Sequence, residues 1–120
     1  MECIFCKICK EEIPSYTLYE DEDVKVFLDI NPTSIGHTLI IPKKHYIDLD
    51  DIDLETLNKI FNISKKIKLQ LENKLKCDGI RLVQNNGILE EVKHFHLHLI
   101  PFYKDEKETL SVEEVYKLLK

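Results

Sequence analysis

From Leu54 to Leu75 the apolar residues Leu54, Leu57, Ile60, Phe61, Ile67, Leu71 and Leu75 recur at intervals of three or four, with Lys65, Lys66 and Lys68 largely off that stripe. The spacing predicts one long amphipathic helix. Asp53 stands where an N-cap belongs, and Asp78-Gly79 supplies a stop. Elsewhere the apolar runs are short. Tyr16 to Tyr19 and Val24 to Leu28, separated by the acidic Glu20-Asp21-Glu22-Asp23, predict a hairpin. After the turn-rich segment 30–36, His37 to Ile41 predicts a buried strand closed by Pro42. Ile80 to Gln84 and Phe95 to Ile100 predict two more strands, joined through Asn85-Asn86-Gly87 and an acidic link, with Pro101 ending the second. Ser111-Val112-Glu113-Glu114 carries a capping-box pattern ahead of a short helical face of Val112, Val115, Leu118 and Leu119. Strands that do not alternate strictly with helices predict an α+β layer fold: a mainly antiparallel five-stranded sheet, one long helix and a short C-terminal helix.

A length of 120 residues predicts a single domain over 1–120 with one core. Hydrophobic residues at 43% and charged residues at 32% exclude a collagen-like, low-complexity or fully disordered chain. The formal charge is −5, and Arg81 is the one arginine among 17 basic residues, so no basic stripe is available for a phosphate backbone and nucleic acid is not an expected partner. No run approaches the roughly 20 apolar residues of a membrane span, and the first residues lack the apolar stretch of a signal peptide. The expectation is a cytoplasmic protein with no membrane partner. Cys3, Cys6, Cys9 and Cys77 are too few and too clustered for a disulfide scaffold, which fits a reducing compartment.

The chemistry concentrates in the histidines. His37 and His45 flank one predicted strand, and Lys93-His94-Phe95-His96-Leu97-His98-Leu99 holds the other three. In extended backbone side chains alternate, so His94, His96 and His98 share one face while Phe95, Leu97 and Leu99 take the other. Burying three polar rings as packing alone would require three sets of partners. Such a face suits a metal cage, a proton relay, or a nucleophile with its support. Cys3-Ile4-Phe5-Cys6 has the C-x-x-C spacing that puts two thiolates on one ion, with His45 and one histidine of the run as further ligands, but Cys6-Lys7-Ile8-Cys9 offers a second register and buried thiols a third reading.

His94-Phe95-His96-Leu97-His98-Leu99-Ile100, followed by Pro101, resembles the signature of the histidine-triad (HIT) superfamily. Cys3 to Ile8, Glu12-Ile13-Pro14, Phe27 to Pro32, Gly36-His37-Thr38, Ile41 to His45 and Gln84 to Gly87 look like further blocks of that family in its order, so the resemblance runs from about Cys3 to Tyr103. It is nearest to the Hint-type nucleoside phosphoramidases. The resemblance implies a homodimer of α+β protomers. It also implies a structural zinc on Cys3, Cys6, His45 and His94, which leaves Cys9 out. It makes His96 the nucleophile toward the α-phosphorus of a purine nucleoside 5'-phosphoramidate or related phosphoanhydride, through a nucleotidyl-histidine intermediate. An imidazole with a pKa near ~6.5 is largely unprotonated at neutral pH and can attack directly. His98 and His37 would support the phosphate together with Asn85. Asp29 would accept from the ribose hydroxyls, Ile4, Phe5, Ile8, Phe27 and Ile30 would form an apolar slot for the purine, and Glu91 is counted with the nucleotide-binding positions.

The chain departs from the family before the triad. Leu89-Glu90-Glu91-Val92 replaces the usual Gly-Gln pair and its successors, so Glu90 stands where a glutamine amide would donate, and an ionised carboxylate there only accepts. The loop from Asn86 to Val92 is about two residues shorter than in typical relatives, and Lys93 replaces an apolar residue. These departures keep two rivals in view: a diadenosine polyphosphate hydrolase, and a nearly inert nucleotide-binding or interaction module.

Overall fold

The computed structural model describes residues 3–120. Five strands, β1 (Thr17–Glu20), β2 (Val24–Leu28), β3 (Thr38–Pro42), β4 (Gly79–Val83) and β5 (Leu97–Phe102), form one sheet in the order β1-β2-β3-β5-β4. Every neighbouring pair is antiparallel. The helices are α1 (Ile4–Cys9), α2 (Leu54–Leu75) and α3 (Val112–Leu119), with a 3-10 turn at Gly87–Leu89. The α+β architecture is therefore the one expected, with α1 as an addition. None of the helices among the described residues is long and apolar enough to cross a membrane.

Both faces of the sheet are covered, which is why all five residues of β2 and of β3 are buried. On one face Val24, Val26, Leu28, Ile40, Leu97 and Leu99 pack under Ile60, Ile67 and Leu71 of α2 and Val115 and Leu119 of α3. On the other, Phe27, Leu39 and Ile41 cluster with Phe5 and Ile8 of the six-residue α1, with Cys3, Cys9, Ile13 and Val92 partly buried against them. The hairpin between β1 and β2 is built by Asp21, whose Oδ1 accepts from the backbone N–H groups of Asp23 and Val24 at 2.8 Å each.

The two caps on the larger helices stand as the sequence predicts: Asp53 accepts from Thr56 N–H, and Ser111 and Glu114 form a complete capping box. The stop does not. The helix closes at Lys76, which takes a left-handed conformation with φ 56°, and Gly79 instead opens β4. Strand ends also move. Pro42 closes β3 as its last residue, as expected, but Pro101 lies inside β5 rather than at its end. Pro101 is tolerated because β5 pairs with β3 only as far as Leu99, so its missing N–H falls on an open edge, while its carbonyl accepts from Ser34 Oγ at 2.6 Å. His94, Phe95 and His96 precede β5, yet the alternation holds: Phe95 joins Leu97 and Leu99 in the α2-side core.

Candidate functional site

Helix α1 is where sequence reasoning is blind, because six residues with a cysteine as N-cap carry no helical periodicity. Its two buried side chains, Phe5 and Ile8, are three apart and pin it to the sheet. Cys3 precedes the helix and accepts from Cys6 N–H, so one turn brings both thiols to the same side. They meet His94 Nδ1 at 3.4 and 3.5 Å, and Cys6 Sγ lies 3.2 Å from His45 Nδ1. The four ligand atoms of Cys3, Cys6, His45 and His94 lie within 4.8 Å of one another. Cys9 is outside this set and packs beside the α1-side apolar cluster.

The fit to a tetrahedral ion can be tested on the donors. Metal–sulfur arms of ~2.3 Å and metal–nitrogen arms of ~2.0–2.1 Å at the tetrahedral angle give sulfur–nitrogen separations of about 3.6 Å, near those found. His94 is completely buried, and its Nε2–H donates to Pro42 O at 2.8 Å, which leaves the Nδ1 lone pair facing the thiols. This is the outer contact that metal-bound imidazoles use to fix their tautomer. Burial, then the hydrogen bond and charge of Cys3, push the Cys6 thiol up to about 11. The Cys6 thiol therefore stays protonated until a cation displaces its proton. Burial holds His94 down near about 4, in the neutral form a ligand needs. The donor set fits zinc.

A second trio, Asp29, His37 and His98, has metal-ligand composition too. Its hydrogen bonds argue otherwise. The N–H of Thr33 donates to His37 Nδ1 at 3.0 Å, so the His37 proton sits on Nε2 and donates to His98 Nδ1 at 2.9 Å. A cation on His37 Nε2 would force that proton to Nδ1, against the Thr33 N–H. The trio is thus a directed relay: His98 presents Nε2–H outward. Burial lowers His37 from its ordinary value and brings His98 to about 4, so both rings are neutral at pH 7. Asp29 Oδ2 lies 3.7 Å from His37 Nε2, and its Oδ1 accepts from Asn31 N–H.

His96 sits between the two groups. Its Nδ1–H donates to the carbonyl of His94 at 2.7 Å, which leaves the Nε2 lone pair unprotonated, and its ring lies 4.8 Å from that of His98. Phe5 meets the rings of His96, Phe27 and His94 edge-on at 5.0, 5.8 and 5.9 Å.

These groups open on a cleft of about 420 Å³. Every residue expected at the nucleotide lines it: Ile4, Phe5 and Ile8 from α1, Phe27, Asp29 and Ile30 from β2 and the loop after it, and Asn85 and Glu91 from the loop after β4. His37, His96 and His98 form its floor, and Ile13, Leu39 and Val92 extend the apolar wall. Ile13 and Leu39 were not singled out from the sequence, since apolar residues carry no chemical label. Ile4 and Ile30 are exposed at the rim, by 47% and 67%. The loop that brings Asp29 and His37 together needs Gly36: its φ is +90°, and a Cβ there would collide with Leu75 Cδ1 and crowd Pro101.

Glu90 corrects an expectation. It does not reach the cleft; its side chain is 5% exposed, and neither carboxylate oxygen has a hydrogen-bond partner among the described residues. Burial raises its pKa, with Lys93 opposing. Glu91, the next residue, faces the ligand space instead. The two neighbouring carboxylates thus turn in different directions.

Comparison with known proteins agrees with this geometry. The HIT domain family model matches residues 10–105. An adenosine 5'-monophosphoramidase of Saccharomyces cerevisiae is 48% identical over 112 residues, covering 92% of this chain and 68% of the yeast protein. A HIT-like protein of Methanocaldococcus jannaschii is 47% identical over 116 residues, covering 94% of this chain and 88% of its own length. Among solved structures, a zinc-bound histidine triad family protein from Mycobacterium smegmatis superposes with a TM-score of 0.89 at 35% identity, covering 99% of this chain and 91% of that one.

Proposed function

Since the chain belongs to the HIT domain family and is a hydrolase of that superfamily, we propose that it cleaves purine nucleoside 5'-phosphoramidates with His96 as nucleophile. The observation that carries the reading is the opposed orientation of two neighbouring imidazoles. His96 turns an unprotonated Nε2 into the cleft, because its Nδ1–H is held by the His94 carbonyl. His98 turns an Nε2–H, because its Nδ1 accepts from His37. A lone pair and a donor side by side are what in-line attack on a phosphorus and stabilisation of its oxygens require.

In the proposed course, the apolar wall of Phe5, Ile8 and Phe27 takes the base and Asp29 Oδ2 accepts from the ribose hydroxyls. The Nε2–P bond forms as the P–N bond breaks, and the departing amine takes one proton from water. His98 Nε2–H and the Asn85 amide hold the phosphoryl oxygens. Water then attacks the phosphorus, releases the nucleoside monophosphate, restores neutral His96 and returns one proton to solvent. Both histidines leave the cycle as they entered it.

Zinc is proposed at Cys3, Cys6, His45 and His94, where a fourfold protein shell leaves no position for substrate and its contribution is structural. Homodimerisation is proposed through β4, an edge strand that exposes Leu82, together with the outer face of α2, which exposes Phe61 and Leu69. The cytoplasm is the proposed location. The absence of Glu90 from the cleft lining weakens the case for an inert module, because a carboxylate that does not border the ligand space sets no negative charge against a bound phosphate.

The test is AMP release from adenosine 5'-phosphoramidate by the zinc-loaded protein and by His96→Ala, with diadenosine polyphosphate offered in parallel. Release from the phosphoramidate by the first protein alone supports the reading. Preference for the polyphosphate moves the assignment to that hydrolase class. Tight binding of AMP without release of product from either substrate overturns the enzymatic reading.

A further inference from the structure

A charged side chain lies in the apolar layer between α1 and the sheet. Lys25 is central in β2, where Val24, Val26 and Leu28 face α2 and Lys25 and Phe27 face α1. Its side chain is 3% exposed. Cross-strand it stands beside Glu20 of β1 and Ile41 of β3. Nζ donates to the carbonyl of Ile8 at 3.1 Å, one residue before the end of α1, and lies 3.7 Å from Glu20 Oε1. Glu20 Oε2 in turn pairs with Lys43 Nζ at 2.7 Å, two residues before His45.

Alone, a six-residue helix does not hold its shape in water. Among the described residues, α1 is pinned by two buried side chains, Phe5 and Ile8, and by this ammonium on its last turn, where the helix dipole favours a cation. The same short helix carries Cys6, follows Cys3 directly, and supplies Ile4, Phe5 and Ile8 to the cleft wall.

We propose that Lys25 is a positioning residue: by clamping the C-terminal turn of α1 it seats the two thiols of the metal cluster and the base-binding wall as one unit. The part concerning the metal rests on the zinc reading above; the part concerning α1 does not. Lys25 touches neither ligand space, so its effect passes entirely through the helix.

Removing one partner of a buried ion pair destabilises only where it leaves the other charge buried and unpaired. Glu20 is 31% exposed and keeps its pair with Lys43, so an apolar side chain of similar length at position 25 leaves no orphaned charge and global stability does not fall. Lys25→Met therefore separates clamping from general support. The expected result is a melting temperature equal to or above that of the wild type, together with amide exchange at positions 5–10 at least tenfold faster while exchange in β2, β3 and α2 is unchanged. Zinc affinity, measured by competition with a chromogenic chelator, should fall at least tenfold. KM for adenosine 5'-phosphoramidate should rise while kcat at saturation stays within about twofold, and Lys25→Arg should recover most of each loss. If Lys25→Met does not fold, Glu20→Gln, at a residue nearer the surface, is the deciding variant and is expected to act in the same direction at smaller size. Unchanged exchange at positions 5–10 in the deciding variant overturns the proposal, as does faster exchange spread evenly over the whole chain. A wild type that takes up no zinc overturns the metal reading instead, and exchange and KM then still decide the role of Lys25.

Discussion

The two faces of the sheet are built on different principles. Under α2 and α3 lies a cluster of fifteen buried apolar residues, and under α1 a cluster of five. Among the described residues the large cluster holds one ionisable side chain, Tyr46, whose hydroxyl donates to Asp53 Oδ1, whereas the small one is bordered by His37, His94, His96 and the Lys25 ammonium, each buried. Hydrophobic burial scales with apolar area, so the α2 side supplies most of the folding free energy. The α1 side depends on directed contacts, a lysine, the cluster of Cys3, Cys6, His45 and His94 and a chain of imidazoles, to hold a shape that apolar area alone would not enforce. A face that must bind and release a ligand is drawn from the less stable part of a fold.

The contrast can be broken most forcefully at Leu71, fully buried in the large cluster. Leu71→Ala is expected to cost about 2–5 kcal/mol. Chemical denaturation should show that loss, and assays on the folded fraction should show KM and kcat unchanged. Phe5→Ala is the mirror experiment. Its ring packs against Phe27, His94 and His96, so KM should rise at least tenfold, while the loss in denaturation midpoint should be smaller than for Leu71→Ala, because α1 can release without the sheet. Equal midpoint losses for the two variants would remove the distinction between the faces.

Two titrations sharpen it further. His98 keeps a folded-state pKa near about 4 against an ordinary 6.5, and His37 is shifted the same way. Between those values the unfolded chain takes up protons that the folded one refuses, so stability should fall as pH drops from 6.5 toward 4. His98→Asn is expected to flatten that acid limb in pH-dependent melting, and an unchanged limb would deny the burial of the relay. The smallest effect is expected at Glu90, whose pKa is raised from 4.5 by burial without a hydrogen-bond partner among the described residues. Its ionisation opposes folding increasingly as pH rises through 4.5 and fully above the folded-state value. Glu90→Gln should therefore add about 1 kcal/mol at pH 7.5 and nothing below pH 4, on the scale of an unmade buried hydrogen bond.

The same division explains what could be read from the sequence. The α2 face announces itself: the Asp53 cap and the Ser111-Glu114 box act locally and stand where the sequence predicts them, and of the stripe from Leu54 to Leu75 Ile60, Ile67, Leu71 and Leu75 are buried while Leu54 and Phe61 stay exposed. The candidate site residues were legible through the motif and its resemblance, and the structure brings all of them to one cleft and one cluster. Less could be read of what supports them. Helix α1 is too short to show a period, and Lys25 reads as the solvent-facing position of an alternating strand until α1 covers it. The carbonyl of Pro42 and the N–H of Thr33, which set the tautomers of His94 and His37, belong to the backbone and leave no trace in residue type. Glu90 was misplaced because register within a loop follows no periodicity that would tell which of two adjacent carboxylates faces the cleft.

One rim of the cleft is tied down more firmly than the other. Ser34 Oγ donates to Pro101 O and Tyr103 Oη to Ile35 O, at 2.6 and 2.7 Å, so the loop bearing Asp29 and His37 is stapled to the end of β5. The opposite rim is α1. On the proposed pose the sugar meets the stapled rim and the base meets the helical one. A fixed carboxylate penalises any ligand that leaves it without a hydroxyl, whereas an apolar slot separates ligands by only a few kcal/mol per group. The molecule is thereby built to be strict about the pentose and lenient about the heterocycle: deoxyribose should be discriminated against more sharply than one purine from another.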